Sequence, residues 1–156
     1  CGLWRYQIGD TVKFTSTNPY KFVISGRTKS FINAFGEELI VDNAEKGLAE
    51  ACQKTGAVVS EYTAAPVFME FEKAPQDLKA FATLLDEALQ RINSDYEAKR
   101  YKSLTLQALE IIPARRNLFN DWLKSRGKLG GQHKVPRLAN NRDIIDQVLA
   151  LNTNEG

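Results

Sequence analysis

Hydrophobic and polar residues follow two different periods along this chain, one typical of helices and one typical of strands. The clearest helix covers residues 76–93, where apolar positions recur at i, i+3, i+4 and i+7. A helix with such a stripe buries it against the rest of the protein. We therefore expect one buried helical face, formed by Leu78, Phe81, Leu85, Leu89 and Ile92.

Strand-like runs occupy much of the remaining chain. Residues 11–16 alternate between apolar and polar side chains, and residues 21–25 follow them after an Asn-Pro turn. Further runs rich in β-branched and aromatic residues cover residues 57–68 and 104–113. Each run is predicted to form a strand.

Several weaker helical patterns separate these strands. One begins at the Asp-Asn pair of residues 42–43, either of which can cap a helix, and stops near Gly56. Others are predicted at residues 94–103, 117–126 and 143–151. Strands and helices mix without repeats, so we expect an α+β fold with a small mixed β-sheet packed by three to four α-helices.

One junction lacks the residues that normally make a turn. The strand-like run ending at Phe68 continues into Met-Glu-Phe-Glu-Lys without a Gly, Asn or Asp to reverse the chain. A single strand of that combined length would be far longer than usual. Either the Ala-Ala-Pro tripeptide of residues 64–66 bends the chain, or residues are missing between Phe68 and Phe71. We expect the second, a break between those two phenylalanines.

Composition narrows the class of protein. The 156 residues are 43% hydrophobic and 26% charged, with a net charge of +2, values typical of one ordinary globular domain. That charge is too small to indicate nucleic acid or an anionic membrane as a partner, and no apolar run approaches the roughly 20 residues of a membrane span. Two cysteines and one histidine provide neither a disulfide framework nor a zinc site. We therefore expect a protein of the reducing cytoplasm.

Two polar positions near the start of the chain could bind a nucleotide. Asp10 follows Gly9 just before a strand, where its carboxylate could accept hydrogen bonds from a sugar diol. A turn aspartate that caps its own backbone is the alternative. Arg27 leaves a strand at Gly26 and could reach a phosphate or a ribose edge, or could belong to a basic surface turn.

A glycine-rich basic segment covers residues 127–137. Glycines before Lys134 would let backbone N–H groups and an ammonium approach an anion closely. The residue order of a Walker A loop is absent, and a solvated basic loop is the alternative. His133, the one histidine, is expected to be a structural hydrogen-bonding residue rather than a base.

Together these segments resemble the C-terminal motifs of a known family, the auxin-responsive acyl-acid amido synthetases of the adenylate-forming superfamily. The resemblance covers nearly the whole chain and is closest to bacterial members. Gln7 stands where the family's first motif usually has an arginine, which leaves the role of that arginine open. The matching motifs are YQIGD, SGRTKSFINAFGEEL and GKLGGQHKVPRL.

The resemblance implies a role for each matching residue. Asp10 would bind the ribose hydroxyls of ATP, and Arg27 would contact the ribose or phosphate. Lys29 would be the hinge about which the domain pivots. Lys134 would be catalytic, stabilising negative charge as a carboxylic acid reacts with ATP, accompanied by Mg²⁺, before an amino acid accepts the acyl group.

The resemblance also implies that residues 1–156 are a single C-terminal domain whose own N-terminal domain lies elsewhere. That domain would carry the phosphate-binding loop and the acyl pocket, so this chain alone is not expected to turn over. A non-enzymatic module that binds nucleic acid is the main alternative, and a plain protein-interaction domain is another. Lysines and arginines spread among acids, as in YEAKRYK, argue against the nucleic-acid module.

Overall fold

The structure, a computed structural model, describes residues 10–27, 31–32, 39–64, 67–101, 106–128 and 134–153. Its strands in chain order are β1 (Asp10–Thr17), β2 (Tyr20–Arg27), β3 (Phe31–Ile32), β4 (Leu39–Ile40), β5 (Val58–Thr63), β6 (Val67–Lys73) and β7 (Ile111–Ala114). Its helices are α1 (Val41–Thr55), α2 (Leu78–Ile92), α3 (Ser94–Arg100), α4 (Leu118–Ser125) and α5 (Asp143–Thr153). The expected α+β class is confirmed, and each of the five helical patterns corresponds to a helix among these residues, although only three to four helices were expected to pack on the sheet.

Capping residues explain where the two longest helices begin and end. The carboxylate of Asp77 accepts hydrogen bonds from the backbone N–H groups of Lys79 and Ala80, at 2.8 and 3.0 Å, and so starts α2. α1 ends at Gly56, whose φ of 69° is left-handed. Its start was misplaced, because Ile40 is the N-cap and the side chain of Asn43 accepts from the N–H of Ile40 at 3.2 Å.

The central sheet has the order β5-β6-β7, with β5 antiparallel and β7 parallel to β6. Neighbouring residues of a strand face opposite sides of the sheet. Phe68 and Met69, which are consecutive on β6 and completely buried, accordingly belong to different hydrophobic clusters. The middle strand is therefore covered on both faces.

Helices form a layer on each side of this sheet. The first cluster joins one face to α1, α2 and α3, and the second joins the opposite face to α4 and α5. Within the first cluster, Phe81, Leu85 and Leu89 of α2 are buried as expected, whereas Leu78 and Ile92 at its ends are partly exposed. The second cluster consists of Phe68, Leu118, Phe119, Trp122, Val135, Ile145 and Val148.

Two expectations about strands were wrong. β6 is one uninterrupted strand through Phe68 and Phe71, paired with β5 along its length, so no break separates those residues. The chain instead reverses between Thr63 and Val67. The strand predicted at residues 104–113 is also shorter than expected. Of its described residues, only those from Ile111 onward belong to β7, which ends at Ala114 and pairs with the first four residues of β6.

Candidate active site

The strand register places Asp10 and Arg27 directly opposite each other. They are the first residue of β1 and the last residue of β2, and they form the end of this antiparallel hairpin that is remote from its turn. Paired Cα atoms in such a ladder lie about 4.5–5.5 Å apart. The expectation that these two residues lie near each other is confirmed.

The same hairpin exposes an unusual amount of apolar surface. Phe14 packs edge-to-face against Tyr20 and Phe22, with ring centroids 6.0 and 6.3 Å apart, yet both phenylalanines are more than half exposed. Val12 and Ile24, strand partners on the same face as Phe14 and Phe22, are exposed as well. Clustered exposed apolar side chains of this kind mark an interaction site. We call these five residues, Val12, Phe14, Tyr20, Phe22 and Ile24, the hairpin patch.

Lys134 lies on a separate element and is exposed to solvent. It begins the described range 134–153, and the first five residues of that range, here called segment 134–138, run beside the end of β5. Lys29, the expected hinge, and His133 lie outside the described residues. The structure thus places Asp10 and Arg27 in one hairpin and Lys134 next to the central sheet.

Two buried apolar residues anchor segment 134–138 in the hydrophobic core. Val135 is buried in the second cluster and Leu138 in the first. Leu138 also forms a parallel β-bridge with Ala64. Segment 134–138 therefore joins the two hydrophobic clusters.

Backbone oxygens of this segment receive two hydrogen bonds from the end of β5. The completely buried Thr63 donates its hydroxyl to the carbonyl of Pro136 at 2.8 Å. The backbone N–H of Ala64 donates to the carbonyl of Arg137 at 2.9 Å. Buried polar groups need such partners, so these bonds fix the path of the backbone.

The side chain of Arg137 occupies a small polar cluster between α1 and β5. Its guanidinium donates a hydrogen bond to Glu45, lies 3.5 Å from the carboxylate of Glu61, and stands 5.3 Å from the ring centroid of Tyr62. Tyr62 donates its own hydroxyl to Glu45 at 2.8 Å. Burial and the bond to Glu45 raise the pKa of Tyr62, so the phenol stays protonated and keeps donating.

Sequence reasoning did not identify this cluster. Arg137 belonged to a motif without a role of its own, and Glu45 reads as one more polar residue on the outer face of α1. Tyr62 belongs to a strand and is mostly buried. Only the tertiary fold joins these three residues.

A second polar network is buried between α2 and α3. Asp86 accepts from the hydroxyl of Tyr96 at 2.6 Å and from two nitrogens of Arg100, the closer at 2.7 Å. Gln90 adds a bond at 3.0 Å. Burial, followed by the bond to Asp86, raises the pKa of Tyr96. These groups satisfy one another, so the network is structural.

A partly open apolar pocket of about 330 Å³ borders the first cluster and is lined by α1, α2, the central sheet and residues 106–110. No set of three or more His, Cys, Asp or Glu side chains among the described residues could hold a metal ion. In that same part of the chain, no helix has the length and apolar character to cross a membrane.

Comparison with solved structures identifies the architecture. The fold is that of a structure named GH3.15 acyl acid amido synthetase, with a TM-score of 0.72 and 20% sequence identity. The match covers 96% of this chain but 31% of that protein, so the chain spans about a third of its length. No curated protein sequence gives a match.

The sequence model of the GH3 family C-terminal domain matches residues 42–143, which are more than half of the chain. The chain therefore belongs to the GH3 family. The matched region begins near the start of α1 and excludes the hairpin that carries Asp10 and Arg27.

Proposed function

We propose that this chain is the C-terminal part of an ATP-dependent ligase that joins a carboxylic acid to an amino acid. The match of residues 42–143 to the GH3 family C-terminal domain carries the proposal. The likeness to an acyl acid amido synthetase supports the reaction class. In that reaction the carboxylate attacks the α-phosphate of ATP and pyrophosphate leaves. The amine then attacks the acyl carbon, losing a proton as AMP leaves and the amide forms.

Three residues of this chain are assigned roles in that reaction. Asp10 and Arg27, as strand partners, can approach the ribose and phosphate of one ATP molecule together. Lys134 is an exposed ammonium at the start of an anchored segment, and it would stabilise the charge that builds on the α-phosphate. Lys29 is proposed as the hinge. Mg²⁺ would accompany the ATP phosphates.

The rest of the protein is proposed as the partner of the hairpin patch. The aromatic rings of this two-stranded sheet are exposed, and a further domain that covered them would remove their apolar surface from water. The exposed side chains that form the patch are apolar, which favours a protein partner over nucleic acid. The active protein would therefore be the longer chain, working in the cytoplasm, and the 156 residues alone would not turn over.

Pyrophosphate exchange by the full-length protein tests the proposal. Labelled pyrophosphate should enter ATP only when a suitable acid is added, which a panel of aliphatic and aromatic carboxylic acids would show. Lys134→Ala should slow the exchange by about 10²–10³-fold, because one lost donor to transition-state charge typically costs that much. Lys128→Ala is the matched control, since Lys128 is also an exposed lysine of the glycine-rich segment.

Two results would count against the proposal. Absence of acid-dependent exchange across the whole panel would contradict the ligase function. Exchange by the Lys134 variant at the parent rate would leave the function standing but remove the lysine from the mechanism.

A further inference from the structure

Segment 134–138 combines a solvent-exposed lysine with a firmly held backbone. Val135 and Leu138 are buried in different clusters, and two carbonyls between them accept hydrogen bonds from β5. The one long polar side chain in this stretch that turns back to the domain is that of Arg137. The contacts of the Arg137 side chain therefore hold the segment in addition to the buried apolar side chains and the backbone hydrogen bonds.

We propose that Arg137 is a positioning residue that sets the placement of Lys134, an inference that rests on the proposed function. The carboxylates of Glu45 and Glu61 fix its guanidinium from two elements, α1 and β5. The ring of Tyr62 lies against it at 5.3 Å. A planar guanidinium that pairs with carboxylates and stacks on a ring has a defined orientation that an ammonium would not have.

The cluster suits positioning better than stability. The side chains of Arg137 and Glu45 are 42% and 45% exposed, and ion pairs at such exposure contribute little to the free energy of unfolding. Placement matters far more for the reaction. A displacement of about 1 Å in a group that acts on the transition state can cost on the order of 10²-fold in rate.

Steady-state kinetics of the full-length protein test this inference, with pyrophosphate exchange as the readout and the best acid of the panel as substrate. Arg137→Ala should lower kcat by up to about 10²-fold. The KM for ATP should stay near the parent value, because the lysine acts mainly in the transition state. Arg137→Lys keeps the charge but not the planar fork and should recover only part of the rate.

Arg91→Ala provides the matched control. Arg91 is also an exposed arginine paired with a glutamate of α1, Glu50, at 2.5 Å, but it belongs to α2 and has no place in the segment. Its replacement should leave kcat unchanged. The melting temperature of both variants should stay close to that of the parent.

The double variant of Lys134 and Arg137 separates positioning from a general structural role. If Arg137 acts through the lysine, Arg137→Ala should have no further effect once Lys134 is alanine. A further loss equal to that of the single variant would overturn the inference, as would parent-like kcat in Arg137→Ala. In either case the ligase function would stand, whereas absence of exchange by the parent protein would remove both.

Discussion

Replacing Asp86 with asparagine should destabilise this domain far more than an ordinary surface substitution. The carboxylate and the Arg100 guanidinium are each only 10% exposed, and 2.7 Å separates their closest atoms. Removing one partner of a buried ion pair costs about 3–5 kcal/mol, because the remaining charge keeps its desolvation cost and loses its stabilisation. Asparagine has nearly the same shape, so lost packing adds little.

Equilibrium unfolding in urea, followed by circular dichroism, measures this loss. For a protein of 156 residues, 3–5 kcal/mol corresponds to a fall in melting temperature of about 6–20 °C. Asp146→Asn is the matched control, because Asp146 pairs with Arg142 at 3.1 Å on the exposed side of α5. That variant should lose less than about 1 kcal/mol.

A double-variant cycle identifies the cause of the loss. Asp86→Asn combined with Arg100→Met should lower the free energy of unfolding by less than the sum of the two single changes. Asp86→Asn alone leaves the charge of Arg100 buried and unpaired, and Arg100→Met removes that charge. Equal losses in the Asp86 and Asp146 variants would refute the reasoning, and so would simple additivity with Arg100.

Further predictions address the core, alkaline stability and the hairpin. Phe81→Ala should cost about 3–5 kcal/mol in urea unfolding, because the ring is completely buried; a loss under 1 kcal/mol, on the scale of surface changes, would contradict its place in the core. Above the ordinary tyrosine pKa of 10.0, stability should fall as pH rises, because burial keeps Tyr62 and Tyr96 protonated while the unfolded chain loses those protons. From pH 9 to 11 the melting temperature should fall less steeply when both tyrosines become phenylalanine. Tyr20→Phe, a change at an exposed position, should leave the slope of that fall as it is in the parent. Phe22→Ser should destabilise the full-length protein by up to about 2 kcal/mol more than this chain alone; equal effects on both would argue against a covering domain.

Local signals in the sequence predicted the helices well. The stripe of α2 and the left-handed glycine after α1 depend on neighbours within a few residues, and both were placed correctly. The start of α1 was misplaced because an Asp-Asn pair looks like a cap. Asn43 instead acts from the first turn, where it accepts from Ile40.

Long-range arrangements were less accessible to sequence reasoning. The chain between β5 and β6 contains no Gly, Asn or Asp, so a bend at the Ala-Ala-Pro tripeptide was considered but a break was preferred. The nearness of Asp10 and Arg27 could be anticipated, because a resemblance placed both residues in one site; their direct pairing across the hairpin is seen only in the structure. The cluster of Arg137 with Glu45 joins residues far apart in the chain, and no local pattern predicts such a contact.

The parallel pairing of β6 with β7 has a consequence for the order of folding. β5 and β6 form a local hairpin, whereas β7 reaches β6 only after the chain has passed through α2 and α3. Contacts that close long loops form slowly, because the entropy of the loop is lost before the contact is gained. The second cluster, which lies on the side of α4 and α5, therefore depends on late contacts. Since Val135 anchors in that cluster, we expect the lysine-bearing segment to be among the last parts of the domain to reach its final place.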